Sequence, residues 1–383
     1  MNNLWPNVRI DQILRRVERF ESRNDLADYQ FAGTYSFGRG IFLGERKTGS
    51  SFKLPRVQRI HSGDFIYCKI MAWEGAFGIA PEVVENAVMS NAFVVYELDR
   101  TIIDDRFLGY LFSVPSNWKR IGGQSTGTNV RRQSLNPDQF ECSEISLPPL
   151  AEQQRIVARI EEVASQIKEA RTLREESIRE GELLLRSILA HDKLAPPVRM
   201  SELVRLRATD VVVQADQKYE FAGVYCFGRG MFRSGQKSGM EFAYKRLTRV
   251  NVGEFVYPKL MAWEGALTVV PPECDECVVS PEYPVFAVNE ARVFPEVLDV
   301  YFRTPSVWPK LSETSTGTNV RRRRLNPQDF LAYEMPLPSR ATQVKLKAAY
   351  AQIKKLRVLQ SETAAELDAL LPSVLSKAFS GEL

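Results

Sequence analysis

A polar string of eight residues at positions 125–132 has the clearest capacity for chemistry. Ser125-Thr-Gly-Thr-Asn-Val-Arg-Arg132 combines hydroxyls, one amide and two guanidinium groups on a stretch bent by glycine. Hydroxyls and main-chain amides contact phosphates, arginine forms paired hydrogen bonds with guanine, and asparagine does the same with adenine. These residue types indicate DNA binding. The alternative is a structural turn with solvated arginines.

The same string returns unaltered at positions 315–322, an offset of 190 residues. Two longer stretches repeat at this offset: residues 29–40 match 219–230 at nine of twelve positions, and residues 63–76 match 253–266 at ten of fourteen. A period of this length is too long for a solenoid. It indicates two copies of one folded domain, and therefore two copies of one binding surface. The unaltered polar string favours DNA contact over a structural turn.

The two copies of the string and the basic residues beside the second copy supply most of the predicted DNA contacts. In the first repeat these are Ser125, Thr126, Thr128, Asn129, Arg131 and Arg132. In the second repeat they are Ser315, Thr316, Thr318, Asn319, Arg321, Arg322, Arg323 and Arg324.

A glycine-rich stretch, residues 35–42, is a further candidate, together with its copy at 225–232. It places Arg39, and in the copy Arg229, between aromatic residues, and its glycines let the main chain approach a DNA groove. The alternative is a β-turn with Phe37 and Phe42 in the core. Four lysines are candidate phosphate contacts, two in polar glycine-containing loops and two beside the Trp-Glu-Gly motifs: Lys47, Lys237, Lys69 and Lys259.

The motif Met71-Ala-Trp-Glu-Gly-Ala76 recurs at 261–266. We expect Trp73 to lie in the core rather than to act as a stacking platform. Glu74 has two open interpretations: it accepts a hydrogen bond from cytosine N4, or it orients an arginine.

Catalytic chemistry finds little support. His61 and His191 are the only histidines, and neither recurs in the other repeat, so a duplicated histidine-based active site is excluded. Cys274 and Cys277 have the spacing of metal ligands but lack partner ligands, which favours a coincidental loop. The phosphate-binding pattern G-x-x-x-x-G-K-[ST] does not occur. We predict that the chain is not an enzyme and binds no metal or cofactor itself.

Bulk composition is that of a globular protein with room for two or three domains. Of 383 residues, 44% are hydrophobic and 26% are charged, and the net charge is +4. Apolar runs long enough for a membrane span and a leader segment are both lacking, and the five cysteines form no framework of pairs. We therefore expect a cytoplasmic protein with no membrane partner.

Each repeat has short aromatic and β-branched runs that indicate strands, such as 65–70 and 92–96, and a short helix such as 104–112. Composition then changes: residues 151–190 lack proline, and the apolar positions Ile156, Ile160, Val163, Ile167 and Ala170 follow coiled-coil spacing. The second stretch, from 341, repeats this pattern through Leu346, Ala349, Ile353 and Leu356, and resumes at Leu367, Leu370 and Val374.

The sequence therefore predicts an α+β fold with two similar mixed α/β recognition domains, joined by two long antiparallel coiled-coil helices with pseudo-two-fold symmetry. The predicted boundaries are 1–150 for the first domain, 151–192 for the first spacer helix, 193–340 for the second domain and 341–383 for the second spacer helix.

With this organisation, the chain resembles the specificity subunit of type I restriction–modification systems, which defend against foreign DNA. The resemblance rests on residues 147–157 (LPPLAEQQRIV) before the first helix and residues 370–383 (LLPSVLSKAFSGEL) at the end of the second. Trp73-Glu-Gly75 and the string 125–132 also resemble one class of target-recognition domain in that family.

The resemblance implies that each domain reads one half of a bipartite site on double-stranded DNA. It implies that the helices dock two methylation subunits, which bind S-adenosylmethionine and methylate adenine, and that restriction subunits join this core. S-adenosylmethionine, ATP and Mg²⁺ are then expected on the partner subunits.

One departure concerns the target. Family members commonly carry dissimilar domains, whereas these are near copies, so we expect a nearly palindromic interrupted site. Positions 133–134 (Gln-Ser) correspond to positions 323–324 (Arg-Arg) in the second repeat. If these residues touch bases, the two half-sites differ at the bases they contact. The alternative is a standalone DNA-binding regulator without methyltransferase partners, which would dimerise through its helices. An enzyme with doubled sites is the other rival, and it lacks duplicated pairs of acidic or metal-binding residues.

Overall fold

The computed structural model describes residues 5–125, 133–192, 195–314 and 324–382. The chain forms two compact units. The first contains Met1–Arg171 together with Thr363–Leu383, and the second contains Thr172–Glu362. One division falls inside the first long helix, so each unit combines one repeat with helical segments from both long stretches.

In the first unit the strands are β1 (Asn7–Arg9), β2 (Leu14–Val17), β3 (Phe20–Ser22), β4 (Asp28–Thr34), β5 (Ile41–Thr48), β6 (Arg56–Arg59), β7 (Phe65–Cys68), β8 (Phe77–Ile79), β9 (Val88–Met89), β10 (Phe93–Leu98) and β11 (Glu144–Ser146). The helices of this repeat are α1 (Asp105–Ser113), α2 (Pro115–Gly122) and α3 (Pro137–Glu141), followed by the long helix α4 (Leu150–Ala190), which continues into the second unit.

In the second unit the strands are β12 (Pro197–Arg199), β13 (Val204–Leu206), β14 (Val211–Val212), β15 (Lys218–Val224), β16 (Met231–Ser238), β17 (Arg246–Arg249), β18 (Phe255–Val256), β19 (Thr268–Val269), β20 (Val278–Val279), β21 (Val285–Val288) and β22 (Glu334–Pro336). The helices are α5 (Met200–Leu203), α6 (Pro295–Phe302), α7 (Trp308–Thr314), α8 (Pro327–Ala332) and α9 (Arg340–Glu362). Helix α10 (Ala364–Ser380) belongs to the first unit.

Both repeats contain the same three sheets. In the first repeat the strand orders are β1-β11, β2-β10-β7-β8 and β3-β6-β9-β4-β5, and in the second they are β12-β22, β13-β21-β18-β19 and β14-β17-β20-β15-β16. Strand pairing is antiparallel except for β4 with β9 and β15 with β20. The shared topology confirms that the 190-residue sequence repeat is a repeat of one mixed α/β domain.

An aromatic cluster fills the core of each repeat. In the first repeat the rings of Phe65 and Phe140 stack at 5.7 Å, and Phe112 lies 4.9 Å from Phe65. The corresponding rings of the second repeat, Phe255 and Phe330, stack at 5.3 Å. Buried aromatic rings contribute more than their area alone, because ring edges and faces attract each other. The core thus holds α1 and α3 on the four-stranded sheet.

One buried glutamine attaches each long helix to its domain. The side-chain amide of Gln153 donates to the carbonyl oxygens of Ile102 and Pro148 (both 2.9 Å), and its oxygen accepts from the main-chain N–H of Asp104 (2.9 Å). Gln343 makes the equivalent three hydrogen bonds at the start of α9. Because its polar atoms are all paired, a glutamine can be buried here and fix where the helix leaves the domain.

The apolar seam of the first long helix is largely buried, with Ile156, Ile160 and Ile167 at 6% exposure or less. The second helical stretch differs from the expected single helix, because it is divided at Thr363 into α9 and α10. The expected seam positions Leu356 and Leu370 are 40% and 46% exposed, so placing them in the seam is wrong.

Arg357 explains the exposure of Leu356. Its guanidinium lies 2.7 Å from the carboxylate of Glu182 on α4, so the residue after Leu356 faces α4 instead. Within the second unit α9 runs antiparallel to the end of α4: Ile353 packs at Gly181, and Gln360, further along α9, bonds Ser177, earlier on α4.

Candidate nucleic-acid interface

Two of the repeated motifs are joined into one loop assembly. The main-chain N–H of Phe37 donates to the carbonyl oxygen of Glu74 (2.7 Å), and that of Gly38 donates to the carbonyl oxygen of Gly75 (2.8 Å). The hydroxyl of Ser36 donates to the Glu74 carboxylate (3.0 Å). We call residues 35–40 and 69–75, with residues 225–230 and 259–265 in the second repeat, the paired loops.

The second repeat has the same geometry. The main-chain N–H groups of Phe227 and Gly228 donate to the carbonyl oxygens of Glu264 and Gly265 at 2.8 and 3.0 Å. Cys226 replaces Ser36, and burial, together with its hydrogen bond to Glu264, raises the pKa of its thiol. Both domains therefore present the same main-chain scaffold. The side chain that contacts the glutamate differs, since it is a hydroxyl in Ser36 and a thiol in Cys226.

The predicted arginines of the Gly-Arg-Gly turns lie at the surface of the paired loops. Arg39 is exposed, and its guanidinium carbon lies 5.0 Å from the centre of the Tyr35 ring. Arg229 lies over Tyr225 in the same way at 4.8 Å. A cation over an aromatic ring loses part of its freedom without losing its charge. The tyrosine rings thus restrain each guanidinium at an exposed position.

The alternative that placed Phe37 in the core is wrong, because its side chain is 60% exposed. Phe42, by contrast, packs on Tyr35 with ring centres 4.4 Å apart and closes over Gly33. The two phenylalanines differ because Phe37 has a left-handed main-chain conformation (φ +65°), which turns it away from the strand direction.

The expectation that Trp73 lies in the core is also wrong. It is partly exposed, and its indole N–H donates to the carbonyl oxygen of Ile70 (3.1 Å). The buried tryptophan is Trp118 of α2, whose ring covers Gly75 so closely that a Cβ there would lie 2.6 Å from it. The Glu74 carboxylate accepts a hydrogen bond from the Ser36 hydroxyl, so within the described residues its hydrogen-bond donor is a hydroxyl rather than an arginine.

The four candidate lysines occupy two kinds of position. Lys47 and Lys237 lie on β5 and β16 rather than in loops, because they pair in register with Tyr29 and Tyr219. Both are exposed. Lys69 and Lys259 begin the second of the paired loops in each repeat, and the ammonium of Lys259 donates to the carbonyl oxygen of Pro281 (3.1 Å).

Most of the predicted polar string falls outside the described residues, namely Thr126, Thr128, Asn129, Arg131, Arg132, Ser315, Thr316, Thr318, Asn319, Arg321, Arg322 and Arg323. Of the described members, the Ser125 hydroxyl donates to the carbonyl oxygen of Gly122 (2.6 Å) and Arg324 forms an ion pair with Glu282. The main-chain N–H of Leu135 donates to the carbonyl oxygen of Lys69 (2.9 Å), as that of Leu325 does to Lys259. The residues that follow each string are thereby bonded to the paired loops.

The cysteine pair lies in the core of the second repeat. Cys274 and Cys277 are each 1% exposed, and burial raises the pKa of Cys274 to about 11, which keeps its thiol protonated. Metals bind thiolates. Across residues 5–125, 133–192, 195–314 and 324–382, no group of three or more His, Cys, Asp or Glu side chains is placed to hold a metal ion.

A polar cluster in the second unit was missed by the sequence reasoning. Asp299 is 3% exposed and accepts hydrogen bonds from Tyr350 (2.9 Å), Arg303 (3.2 Å), Thr268 (3.2 Å) and the main-chain N–H of Val269 (3.3 Å). Burial would lower the pKa of Arg303, but the facing Asp299 carboxylate and its neighbours raise it overall.

This cluster borders a cavity of about 410 Å³ between the globular part of the second repeat, α9 and the end of α4. The Arg303 guanidinium also donates to the carbonyl oxygen of Gly228 (2.5 Å), which attaches the cluster to the paired loops. The sequence did carry a signal for this cluster, because Asp299 is a charged residue within an otherwise apolar stretch. The first repeat has Gly109 at the equivalent position.

Comparison with known proteins identifies the domain type. Residues 8–176 match the family model described as the type I restriction modification DNA specificity domain. Residues 8–176 belong to this family. The second repeat has the same sheets and the same motifs, so it repeats the fold of the matched domain. In type I systems this domain is not catalytic.

Two solved structures share the fold of this chain. One is the HsdS subunit from Thermoanaerobacter tengcongensis, with 21% identity, coverage of 99% of this chain and 97% of that one, and a TM-score of 0.58. The other comes from a study of complex assembly and conformational transition of the type I R-M system, with 19% identity, coverage of 99% and 98%, and a TM-score of 0.61. No curated protein sequence matches the chain. None of the helices in the described part of the chain has an apolar stretch that could span a bilayer.

Proposed function

We propose that each repeat reads one half of a bipartite, nearly palindromic site on double-stranded DNA. The observation that carries this proposal is the duplication of the paired loops, with Arg39 and Arg229 held over tyrosines in the same geometry. Two equal surfaces on one chain suit two similar half-sites. The predicted contacts of the polar strings, including Arg131 and Arg321, complete the surface proposed for DNA.

The long helices are proposed to dock two methylation subunits, and S-adenosylmethionine, ATP and Mg²⁺ are assigned to the partner subunits. Support comes from large apolar side chains left exposed on these helices. On α4, Leu173, Leu183 and Leu184 are 52–57% exposed, and on α9, Val358 and Leu359 are 46% and 50% exposed. Exposed apolar side chains gathered on one element mark interaction sites. Restriction subunits would join this core.

Sequencing of adenine methylation in the host, with and without this gene, tests the proposal. A bipartite motif with nearly inverted halves should disappear on deletion. A strongly asymmetric motif would retain the role but assign base selection to the differing positions, foremost 133–134 against 323–324. Unchanged methylation would refute the methyltransferase partnership and favour a DNA-binding regulator.

A variant with Arg131→Ala and Arg132→Ala tests half-site reading. We expect weaker binding to one half-site, with the other still recognised. Equal weakening on all sequences, with a smaller salt dependence, would show that these arginines only neutralise phosphates. The matched control is the same double substitution at Arg321 and Arg322, which should affect the opposite half-site.

A further inference from the structure

The tip of each Gly-Arg-Gly turn carries a phenylalanine in a strained main-chain conformation. Phe37 has φ +65° and Phe227 has φ +63°. A bulky side chain seldom adopts this region, and holding it there costs about 1–3 kcal/mol. The same cost occurs at the same place in both repeats, so it is a property of the domain rather than of one loop.

Burial of the ring does not compensate this strain. The side chains of Phe37 and Phe227 are 60% and 63% exposed, and their rings lie 6.4 and 6.3 Å, between ring centres, from those of Trp118 and Trp308. An exposed aromatic side chain on a strained main chain gains little folding stability. Such outliers persist where surrounding structure enforces them, often at binding sites.

The main chain beneath Phe37 is firmly held. It makes the paired-loop hydrogen bonds to Glu74 and Gly75, and α1 packs so closely that a Cβ at Gly38 would lie 2.5 Å from the carbonyl oxygen of Phe112. The ring therefore stands on a rigid base, and little conformational entropy remains to be lost when it contacts a ligand.

Two positively charged side chains lie near the Phe37 ring. Arg39 is exposed two residues away, and Lys119 lies 5.6 Å above the Trp118 ring that contacts Phe37. An apolar protein partner would require these charges to be covered, whereas a polyanion is attracted to them. Charge complementarity thus favours DNA as the occupant of this tip.

We propose that Phe37 and Phe227 are wedge residues, each inserted at a base-pair step of its half-site and partly unstacking that step. The inference rests on the proposed DNA-reading function and adds a second means of selection. Apolar wedges enter most easily at flexible pyrimidine–purine steps such as TA or CA/TG. Each half-site is therefore expected to contain one such step at the same distance from its outer end.

The test uses the complex of this chain with its methylation subunits, on duplexes containing the methylated motif with 2-aminopurine at successive positions. Apart from the target adenine that a methyltransferase flips out of the stack, binding of the unaltered complex should raise the 2-aminopurine fluorescence at one step in each half-site. Phe37→Ala should abolish the rise in one half-site only and weaken specific binding about tenfold to hundredfold. Phe227→Ala should do the same in the other half-site.

Two further variants separate the wedge from folding. Phe37→Gly relieves the strained φ and should therefore not lower the unfolding midpoint, while it should lose the fluorescence rise. Leu26→Ala removes a 92% exposed apolar side chain elsewhere in the first repeat and should change neither binding nor fluorescence.

Specific binding without a fluorescence rise at any step other than the target adenine would overturn the wedge and leave the DNA-reading function intact. Loss of the methylation subunits from Phe37→Ala, with DNA unstacking retained, would overturn it in favour of a protein contact. Absence of sequence-specific binding by the unaltered complex would instead refute the function on which the wedge rests.

Discussion

Replacing Asp299 with alanine is expected to destabilise the second unit and spare the first. The Asp299 carboxylate is the acceptor shared by Arg303 and Tyr350, and it is 3% exposed. Without it, the Tyr350 phenol loses its acceptor, and the Arg303 guanidinium loses one of its two carboxylate neighbours while it keeps the carbonyl oxygen of Gly228 and the Glu182 carboxylate. Such a loss is costly because the remaining groups have already been removed from water.

The magnitude follows from how deeply the partners are buried. Removing one member of a buried ion pair costs about 3–5 kcal/mol. The Arg303 side chain keeps 22% exposure, and water can therefore partly replace the lost carboxylate. We expect the low end of that range, about 3 kcal/mol, which for a unit of this size corresponds to roughly 6–12 °C in the unfolding midpoint.

Hydrogen exchange followed by mass spectrometry across a urea titration resolves the two units. Peptides from 255–302 should lose protection at lower urea in Asp299→Ala, while peptides from 65–112 should not. The matched control is Gly109→Ala, the corresponding position of α1, where a Cβ would meet only Ile79 at an ordinary 3.5 Å. That helical substitution should be neutral or stabilising. A loss below about 1 kcal/mol for Asp299→Ala would refute the reasoning.

Three further outcomes are expected. Ile160→Asp, at a fully buried position, should lower the unfolding free energy of the first unit by more than about 3 kcal/mol in urea. Leu356→Asp, at a position that is 40% exposed, should change the unfolding free energy by less than about 1 kcal/mol and reduce co-purification of methylation subunits. Equal stability losses in the two variants would contradict this difference. The hydrogen bond from the Ser62 main-chain N–H lowers the pKa of Glu85 below 4.5, so its stabilising contribution is present above pH 4.5 and is lost as pH falls through the lower folded value. Glu85→Gln should therefore reduce the fall of the unfolding free energy at acid pH. An unchanged fall would show that Glu85 does not contribute to it. Gly38→Ala, at φ +66°, should displace the first Gly-Arg-Gly turn and lower specific DNA affinity about tenfold in a titration, while unaltered affinity would show that the turn tolerates the methyl group.

The presence of two similar domains could be predicted from the sequence, because segments that match at one constant offset adopt the same fold. The helices followed from composition, since the proline-free stretch with Ile156 and Ile160 at seam positions has one simple way to bury them. Strand positions were predicted only approximately. β18 ends at Val256, shortly before Pro258, which has no N–H to offer to a sheet.

Three features depend on tertiary contacts that no local pattern carries. Phe37 and Phe42 share one glycine-rich segment, and only the left-handed φ of Phe37 decides which ring is exposed. Leu356 fits the heptad spacing, yet the ion pair of Arg357 turns the helix differently. Asp299 lies within an apolar helix, and its burial depends on donors from β19 and α9.

The composition of the first unit from both ends of the chain has a consequence for biosynthesis. Ala378 is buried in the same core as Ile156 and Val157, so the face of α4 that carries them stays uncovered until the segment after Thr363 emerges from the ribosome. At about 5–20 residues per second, the roughly 200 residues that follow Arg171 take on the order of 10–40 s to translate. The second unit is contiguous and can close first. The first recognition domain is thus made first and completed last, and during that interval its apolar helix face is open to chaperones.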